Sequence, residues 1–356
     1  MIYLDNNATT QLDPAVLEEM LPYFTTEYGN PSSGYSFGAA AREAVELARQ
    51  RVAALVGCEP GEIVFTSGGT ESNNAALNSA LQFDTQRQHV VTTAVEHSAT
   101  YRYGERLVDR GCAITFVRVD GDGNLDPDEF ERAIGAETAI VSAMWVNNET
   151  GVVFPIELLA EITRRRRVLF HTDAVQAAGK VPMRLADSGV QFASFSAHKL
   201  HGPKGVGALY ISRRSAFRPM LVGGGQENGR RSGTENVAGI VGFGKAAELA
   251  AHAVGDVQTR VGAMRRRFET TLLREVADVC INGNREARIP NTASLSFAGI
   301  ESEAALILLD QHGICCSAGS ACHTGSLRPS HVLSAMRLSG ERIRGSIRFS
   351  FSRLNT

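Results

Sequence analysis

The sequence predicts an α/β protein whose larger part is a mostly parallel sheet, followed by a smaller α+β domain. Three observations support this. Apolar runs of strand type alternate with helical patterns from about residue 39 to residue 211, and such alternation implies parallel neighbours covered on both faces. The composition changes after Gly223-Gly224-Gly225-Gln226-Glu227-Asn228-Gly229, beyond which strands and helices read as a second sheet. A length of 356 residues, 43% hydrophobic and 21% charged, suits one large domain with an appendage. We place the large domain at 1–250, with segment 1–15 packing against the small one, and the small domain at 251–356.

The strand candidates are 63–66, 90–93, 114–117, 140–145, 168–172, 192–195 and 208–211. Helical patterns at 39–56 and 155–165 lie between them, the first with Val45, Ala48, Val52 and Leu55 on one stripe. A helical stretch over 235–275 contains Gly239, Gly242, Gly244, Gly255 and Gly262 and is expected to break at least once. Beyond it, 292–297 reads as a strand, 301–312 and 328–336 as helices and 346–351 as a strand. In sheets of this kind ligands gather beyond the carboxyl ends of the strands.

A formal net charge of -2 gives no reason to expect nucleic acid or an anionic membrane as partner. The basic run Arg164 to Arg167 closes a helical pattern, where cations suit the negative dipole end. No basic, apolar leader opens the chain, and no run approaches the ~18 apolar residues of a membrane span, so a cytoplasmic protein is expected. The cysteines at 58, 112, 280, 315, 316 and 322 form no Cys-x-x-Cys pair, which suggests neither a disulfide framework nor a metal site.

Several polar motifs follow strand candidates. Thr66-Ser67-Gly68-Gly69-Thr70-Glu71-Ser72-Asn73 leads into a helix, so Gly69 and Thr70 are candidate phosphate ligands; a plain strand-to-helix turn would look the same. Ser194-Phe195-Ser196-Ala197-His198-Lys199 sets a lysine among small and apolar residues, which favours the neutral, nucleophilic amine. His171-Thr172-Asp173, with Gln176 beyond, ends another strand and offers an acid. Asp173 alone reads as a helix cap and Lys199 alone as a surface lysine; two strand-end positions together favour chemistry. His97 could stack on a ligand ring and shuttle protons. Asn148, in Trp145-Val146-Asn147-Asn148-Glu149, could bind a carboxylate or the phenolic oxygen of a ligand ring, and Thr234, after Arg230-Arg231, an anion. Ser317-Ala318-Gly319-Ser320-Ala321-Cys322-His323-Thr324 is small and polar, so Cys322 is expected on an accessible loop as a working thiol, with His323 or His97 to favour thiolate. Cys315 and Cys316 read instead with Ile314 as a buried strand.

Together these motifs, with Tyr3-Leu4-Asp5-Asn6-Asn7-Ala8-Thr9-Thr10 and Gly29-Asn30-Pro31-Ser32-Ser33, resemble the NifS/IscS-type cysteine desulfurases from residue 3 to about 353. That family belongs to the class V aminotransferase superfamily of fold-type I pyridoxal 5'-phosphate (PLP) enzymes, with a seven-stranded sheet in the large domain. The resemblance implies that Lys199 anchors PLP covalently, Asp173 pairs with its ring nitrogen, Gln176 contacts its phenolic oxygen and His97 stacks on its ring. It implies that Gly69, Thr70, Ser196 and His198 hold the phosphate, with Thr234 reaching the neighbouring subunit's phosphate in a homodimer. Asn148 and Arg348 would bind the substrate carboxylate. Cys322 would take sulfur from L-cysteine as a persulfide, leave L-alanine, and pass the sulfur to an acceptor protein, as in iron–sulfur cluster assembly. No metal ligand is implied.

Two departures stand out. The family usually continues with a helical tail past Arg348, whereas this sequence stops at Thr356, and Arg328 stands where relatives commonly carry an acid. Both bear on acceptor docking. Another PLP reaction on this fold, such as a selenocysteine lyase or an aminotransferase, would keep Lys199 and Asp173 without requiring Cys322. An inactive scaffold for sulfur transfer is the non-enzymatic alternative.

Overall fold

A computed structural model describes residues 1–318 and 329–356 of the chain. Its main sheet has seven strands, β2 (Ile63–Thr66), β3 (His89–Thr93), β4 (Ala113–Val117), β5 (Thr138–Ser142), β6 (Leu169–Asp173), β7 (Phe192–Ser196) and β8 (Gly207–Ile211); β1 (Ile2–Tyr3) lies elsewhere. The spatial order is β2-β8-β7-β6-β5-β3-β4. Only β8 runs against its neighbours, β2 and β7. The carboxyl ends of β2, β3, β5, β6 and β7 therefore meet along one edge.

Alternate residues on these strands feed opposite faces. Phe65, Val91, Val141, Phe195 and Tyr210 join the cluster beneath helices Ser36–Val56, Ile156–Arg166 and Val237–Asp256. Val64, Val90, Ile140, Phe192 and Leu209 join Ala76, Leu77 and Ala80 of helix Gly69–Phe83. Both faces are covered, as a parallel sheet demands, and each fully buried Phe contributes about 1.5–3 kcal/mol.

A second sheet, β12 (Ser346–Ser350), β10 (Thr292–Phe297) and β9 (Val279–Ile281), is antiparallel. Its Ala293, Leu295, Ile347 and Phe349 pack with Leu4, Val257 and Val261. The N-terminus is tied to it: β1 pairs in parallel with β11 (Ile314–Cys315), and Ser350 N–H donates to the Leu4 carbonyl at 2.6 Å.

Four sequence expectations are corrected here. The stretch 235–275 does not break: helix Val237–Asp256 passes through a π turn, Val257–Val261, into helix Gly262–Glu275. Its Gly244 serves close packing, since a Cβ there would lie 2.6 Å from the Ala48 Cβ. This helix is long and apolar enough to cross a membrane, but Ile240, Phe243, Ala246 and Ala247 are core residues. The strand expected over 140–145 ends at Ser142 because the Met144 N–H is taken by the Glu96 carboxyl at 2.9 Å. Cys315 and Cys316 are half-buried, because the β1–β11 ribbon has only edge strands. The last expected helix covers His331–Ala335, capped by the Ser330 hydroxyl, which accepts from Leu333 N–H at 3.1 Å.

Candidate active site

The carboxyl edge of the main sheet opens into a cavity of about 320 Å³. Gly69, Thr70, His97, Asn148, Asp173, Gln176, Ser196, His198, Lys199 and Arg348 line it, so ten candidates scattered from residue 69 to residue 348 converge on one space. Cys322 lies outside the described residues. Thr234 is not brought to this cavity: it lines a separate pocket with Ser67, Arg231 and Glu235.

Lys199 ends a short 3-10 turn, Ala197–Lys199, directly after β7. Its Nζ donates to the Asn7 carbonyl at 2.5 Å and the Ala8 carbonyl at 2.7 Å. The N-terminal segment is locked over it, with Thr10 N–H donating to the His198 carbonyl at 3.0 Å. Asp173 closes β6 and is 6% exposed. One of its oxygens accepts from the Asn73 amide at 2.6 Å, the other from Val175 N–H at 3.0 Å. Each carboxylate oxygen keeps a lone pair for a further donor.

The strand-to-helix turn after β2 reaches the same space. Gly68 has φ +152°, a backbone that favours glycine, and a Cβ on Gly69 would stand 2.7 Å from Val175 Cγ2. The first turn of the fifteen-residue helix Gly69–Phe83 thus presents its free N–H groups beside Ser196 and His198. Glu71 in that turn is clamped by Arg231, whose Nε donates at 2.9 Å.

His97 caps helix Ser98–Val108, its Nδ1 accepting from Ala99 N–H at 3.2 Å. A backbone N–H only donates, so the proton of the neutral ring sits on Nε2. Burial lowers the His97 pKa, with Lys199 and His331 adding to it and Asp173 opposing. Burial likewise brings His198 down to about 4, helped by Lys199, and both rings are neutral at ordinary pH.

Arg348, on β12, is 2% exposed. It donates to the Asp5 carboxylate at 2.7 Å and the Asn148 carbonyl at 3.0 Å, which leaves Nε buried with no partner among the described residues. Asn148 Oδ1 and Asn73 Oδ1 are orphaned in the same way. Arg348 Nε is a buried donor that an amino-acid carboxylate would satisfy, the two amide oxygens are acceptors, and the lysine, the acid and the helix N-terminus are the groups that the aldehyde, ring nitrogen and phosphate of PLP require. The residues present therefore fit the cofactor.

The described chain stops and resumes at this rim. Ser317 and Arg348 exchange backbone hydrogen bonds at 3.2 and 2.6 Å. On the other side, Ser330 donates to the Glu149 carboxylate at 2.5 Å and His331 Nε2 to the Glu96 carbonyl at 2.8 Å. Arg348, Glu149 and His331 all line the cavity.

Sequence reasoning gave no role to Asn73, Asn7, Lys180 or His331. Helical spacing held a signal for the first, four positions after Gly69, and the same interval separates Lys180 from Gln176. Nothing in the sequence marks His331 as a lining residue.

Comparison with known proteins places these features in context. The class-V aminotransferase family profile matches residues 2–356. A cysteine desulfurase of Bradyrhizobium diazoefficiens is 52% identical over 353 residues, covering 99% of this chain and 90% of that protein. A cysteine desulfurase of Trichormus azollae is 49% identical over 356 residues, covering 100% of this chain and 89% of that protein. A solved NifS-like protein superposes with a TM-score of 0.93 at 38% identity, over 100% of this chain and 94% of its own.

Proposed function

The chain belongs to the class-V aminotransferase family, and from that membership and the cavity around Lys199 we infer that it is a PLP-dependent cysteine desulfurase, converting L-cysteine to L-alanine. The observation that carries this is the convergence of Lys199, Asp173, Asn148 and Arg348 on one cavity, in a chain about half identical to desulfurases.

When bound, PLP supplies an electron sink for the substrate's Cα. Lys199 would anchor it, Asp173 would face its ring nitrogen, Gln176 its phenolic oxygen and His97 its ring face. The N–H groups of Gly69 and Thr70, with Ser196 and His198, would hold its phosphate. Arg348, whose buried Nε is a donor without a partner among the described residues, would orient the substrate carboxylate, with the NH2 of Asn148 as a second donor lining the same cavity. The Lys199 amine lines the same cavity and would move the Cα proton. His97 is the weaker candidate for that base, because its Nδ1 is engaged by Ala99 and its Nε2 carries a proton.

Cys322 completes the reaction. Its thiolate attacks the substrate Sγ, an S–S bond forms, the Cβ–Sγ bond breaks, and the carbon skeleton keeps that electron pair and is protonated to alanine. Cys322 follows Ser317 by five residues, a contour of at most about 18 Å, and Ser317 is bonded to the Arg348 strand. That reach supports the role.

The finer reading is a cytoplasmic homodimer that passes sulfur to an acceptor protein. Thr234 stands apart from the Lys199 cavity, and the apolar Phe24, Tyr28 and Val222 are 62%, 70% and 85% exposed, which supports a second copy covering them. The five cysteines among the described residues are free thiols, in keeping with a reducing compartment. Delivery to iron–sulfur cluster assembly rests on the family resemblance, and a pull-down with persulfidated protein tests it by the partner recovered.

The decisive assay supplies purified protein with cysteine and a reductant and measures alanine and sulfide. Equal amounts are expected from the parent, and neither from Lys199→Ala or Cys322→Ala. Full turnover in Cys322→Ala would remove the persulfide role, and a parent without turnover would leave only the fold.

A further inference from the structure

We propose that Lys180 is a positioning residue for this reaction, a second buried lysine that fixes the Gln176 amide and sets the charge felt by Lys199. Lys180 is 7% exposed, and its Nζ donates to Gln176 Oε1 at 2.8 Å. The Asn7 carbonyl only accepts, so it takes the NH2 end of the Gln176 amide and the oxygen end is the one that faces Lys180. Gln176 Nε2 in turn donates to the Asn7 carbonyl at 2.9 Å, and that same carbonyl accepts from Lys199 at 2.5 Å. The two lysines are thus joined through one amide and one carbonyl. Flipping Gln176 would set its oxygen against a carbonyl and, with Lys180 protonated, its NH2 against an ammonium, replacing both hydrogen bonds by repulsions. The remaining N–H of Gln176 is therefore what this side chain offers to the cavity it lines.

No carboxylate pairs with Lys180 among the described residues. Asp5 is engaged by Arg348 at 2.7 Å and Asp13 by Arg353 at 2.5 Å. The charged and titratable groups around it are Lys199, Arg348, His198, His201 and Arg353. Burial, with Lys199 and Arg348 adding to it, brings Lys180 down to about 7. A buried cation without a counter-ion is costly, and a residue needed only for packing could be Met or Leu. Below about pH 7, where Lys180 holds its proton, its positive charge favours the uncharged form of the Lys199 nitrogen, the form that attacks and accepts protons.

This inference rests on the reading of Lys199 as the PLP-bearing residue, and the test separates the two. Protein loaded with PLP is titrated with pH while its visible absorbance is followed, in the parent, Lys180→Met and Lys180→Arg. Lys180→Met is expected to raise the spectral midpoint by about one unit, because loss of a cation favours the protonated chromophore. Lys180→Arg, which keeps charge and donors, holds it at or below the parent value. If Lys180→Met does not fold, Lys180→Gln, which donates without charge, is read in its place. A parent-like midpoint in the uncharged variant overturns the inference, as does a raised midpoint in Lys180→Arg. A parent that takes up no PLP instead overturns the reading of the site itself.

Discussion

Arg348 carries a full charge at 2% exposure, and its partners make that tolerable. Asp5 and the Asn148 carbonyl hold two of its nitrogens, and the third, Nε, is left for a substrate carboxylate. A planar fork is needed to do all three. Arg348→Lys is therefore expected to raise KM for cysteine at least about tenfold with a smaller change in kcat, measured by steady-state alanine production; an unchanged KM would remove Arg348 from substrate binding. Residues of this kind were legible in the sequence where they closed a strand or sat in a family motif, as Lys199, Asp173 and Arg348 do. The Asn73–Asp173 contact was not, because it spans 100 positions and exists only once the helix is laid against the sheet.

The strand-to-helix turn after β2 is the element on which cofactor binding depends most. Gly69 faces Val175 so closely that a Cβ would stand 2.7 Å from Val175 Cγ2. Overpacking of this order costs about 1–3 kcal/mol. Gly69→Ala is expected to weaken PLP affinity about tenfold, and Gly69→Ala with Val175→Ala to recover most of it, read by cofactor titration. The glycine-rich loop before Arg231 has a different anchor. Glu227 and Asn228 sit at φ 50° and 55°, and the Glu227 carboxylate is gripped by Arg49 at 2.7 and 2.9 Å and by Phe65 N–H at 3.0 Å. Arg49→Met leaves that carboxylate buried without its guanidinium partner and is expected to cost about 3–5 kcal/mol in denaturant unfolding. Elements with a clear hydrophobic period, such as helix Ser36–Val56 and strand Ile63–Thr66, were readable in advance. The unbroken helix through Gly255 and Gly262 was not: propensity argues for a break, and packing against Val257 and Val261 overrides it.

Across the whole molecule, buried titratable groups at the carboxyl edge set opposing pH dependences. Burial brings His171, His198 and His201 down to about 4 from an ordinary 6.5. Their neutral forms favour the fold above pH 6.5, and that stability is lost as pH falls toward about 4. Burial pushes Glu96 the other way, from 4.5 up to about 8. Its contribution is complete below 4.5 and is lost as pH rises through about 8. Thermal melts from about pH 5 to about pH 9 should show Glu96→Gln gaining on the parent as pH rises; a constant gap would mean that Glu96 is ionised throughout. The alternation of strands and helices made this architecture predictable from sequence, since a parallel sheet needs its crossovers. The connection from Lys180 through Gln176 and the Asn7 carbonyl to Lys199 was not predictable, because it forms where the N-terminal segment folds back over the end of β7.

The central claim is that the amine of Lys199 and the thiol of Cys322 act on the same bound cysteine. Its most direct test is one turnover of PLP-loaded protein with cysteine and no reductant, followed by peptide mass spectrometry and alanine quantitation. The account predicts one alanine per active site and the mass of one sulfur atom added to the Cys322 peptide, both absent in Lys199→Ala. Alanine formed in full with the Cys322 peptide unmodified would contradict it.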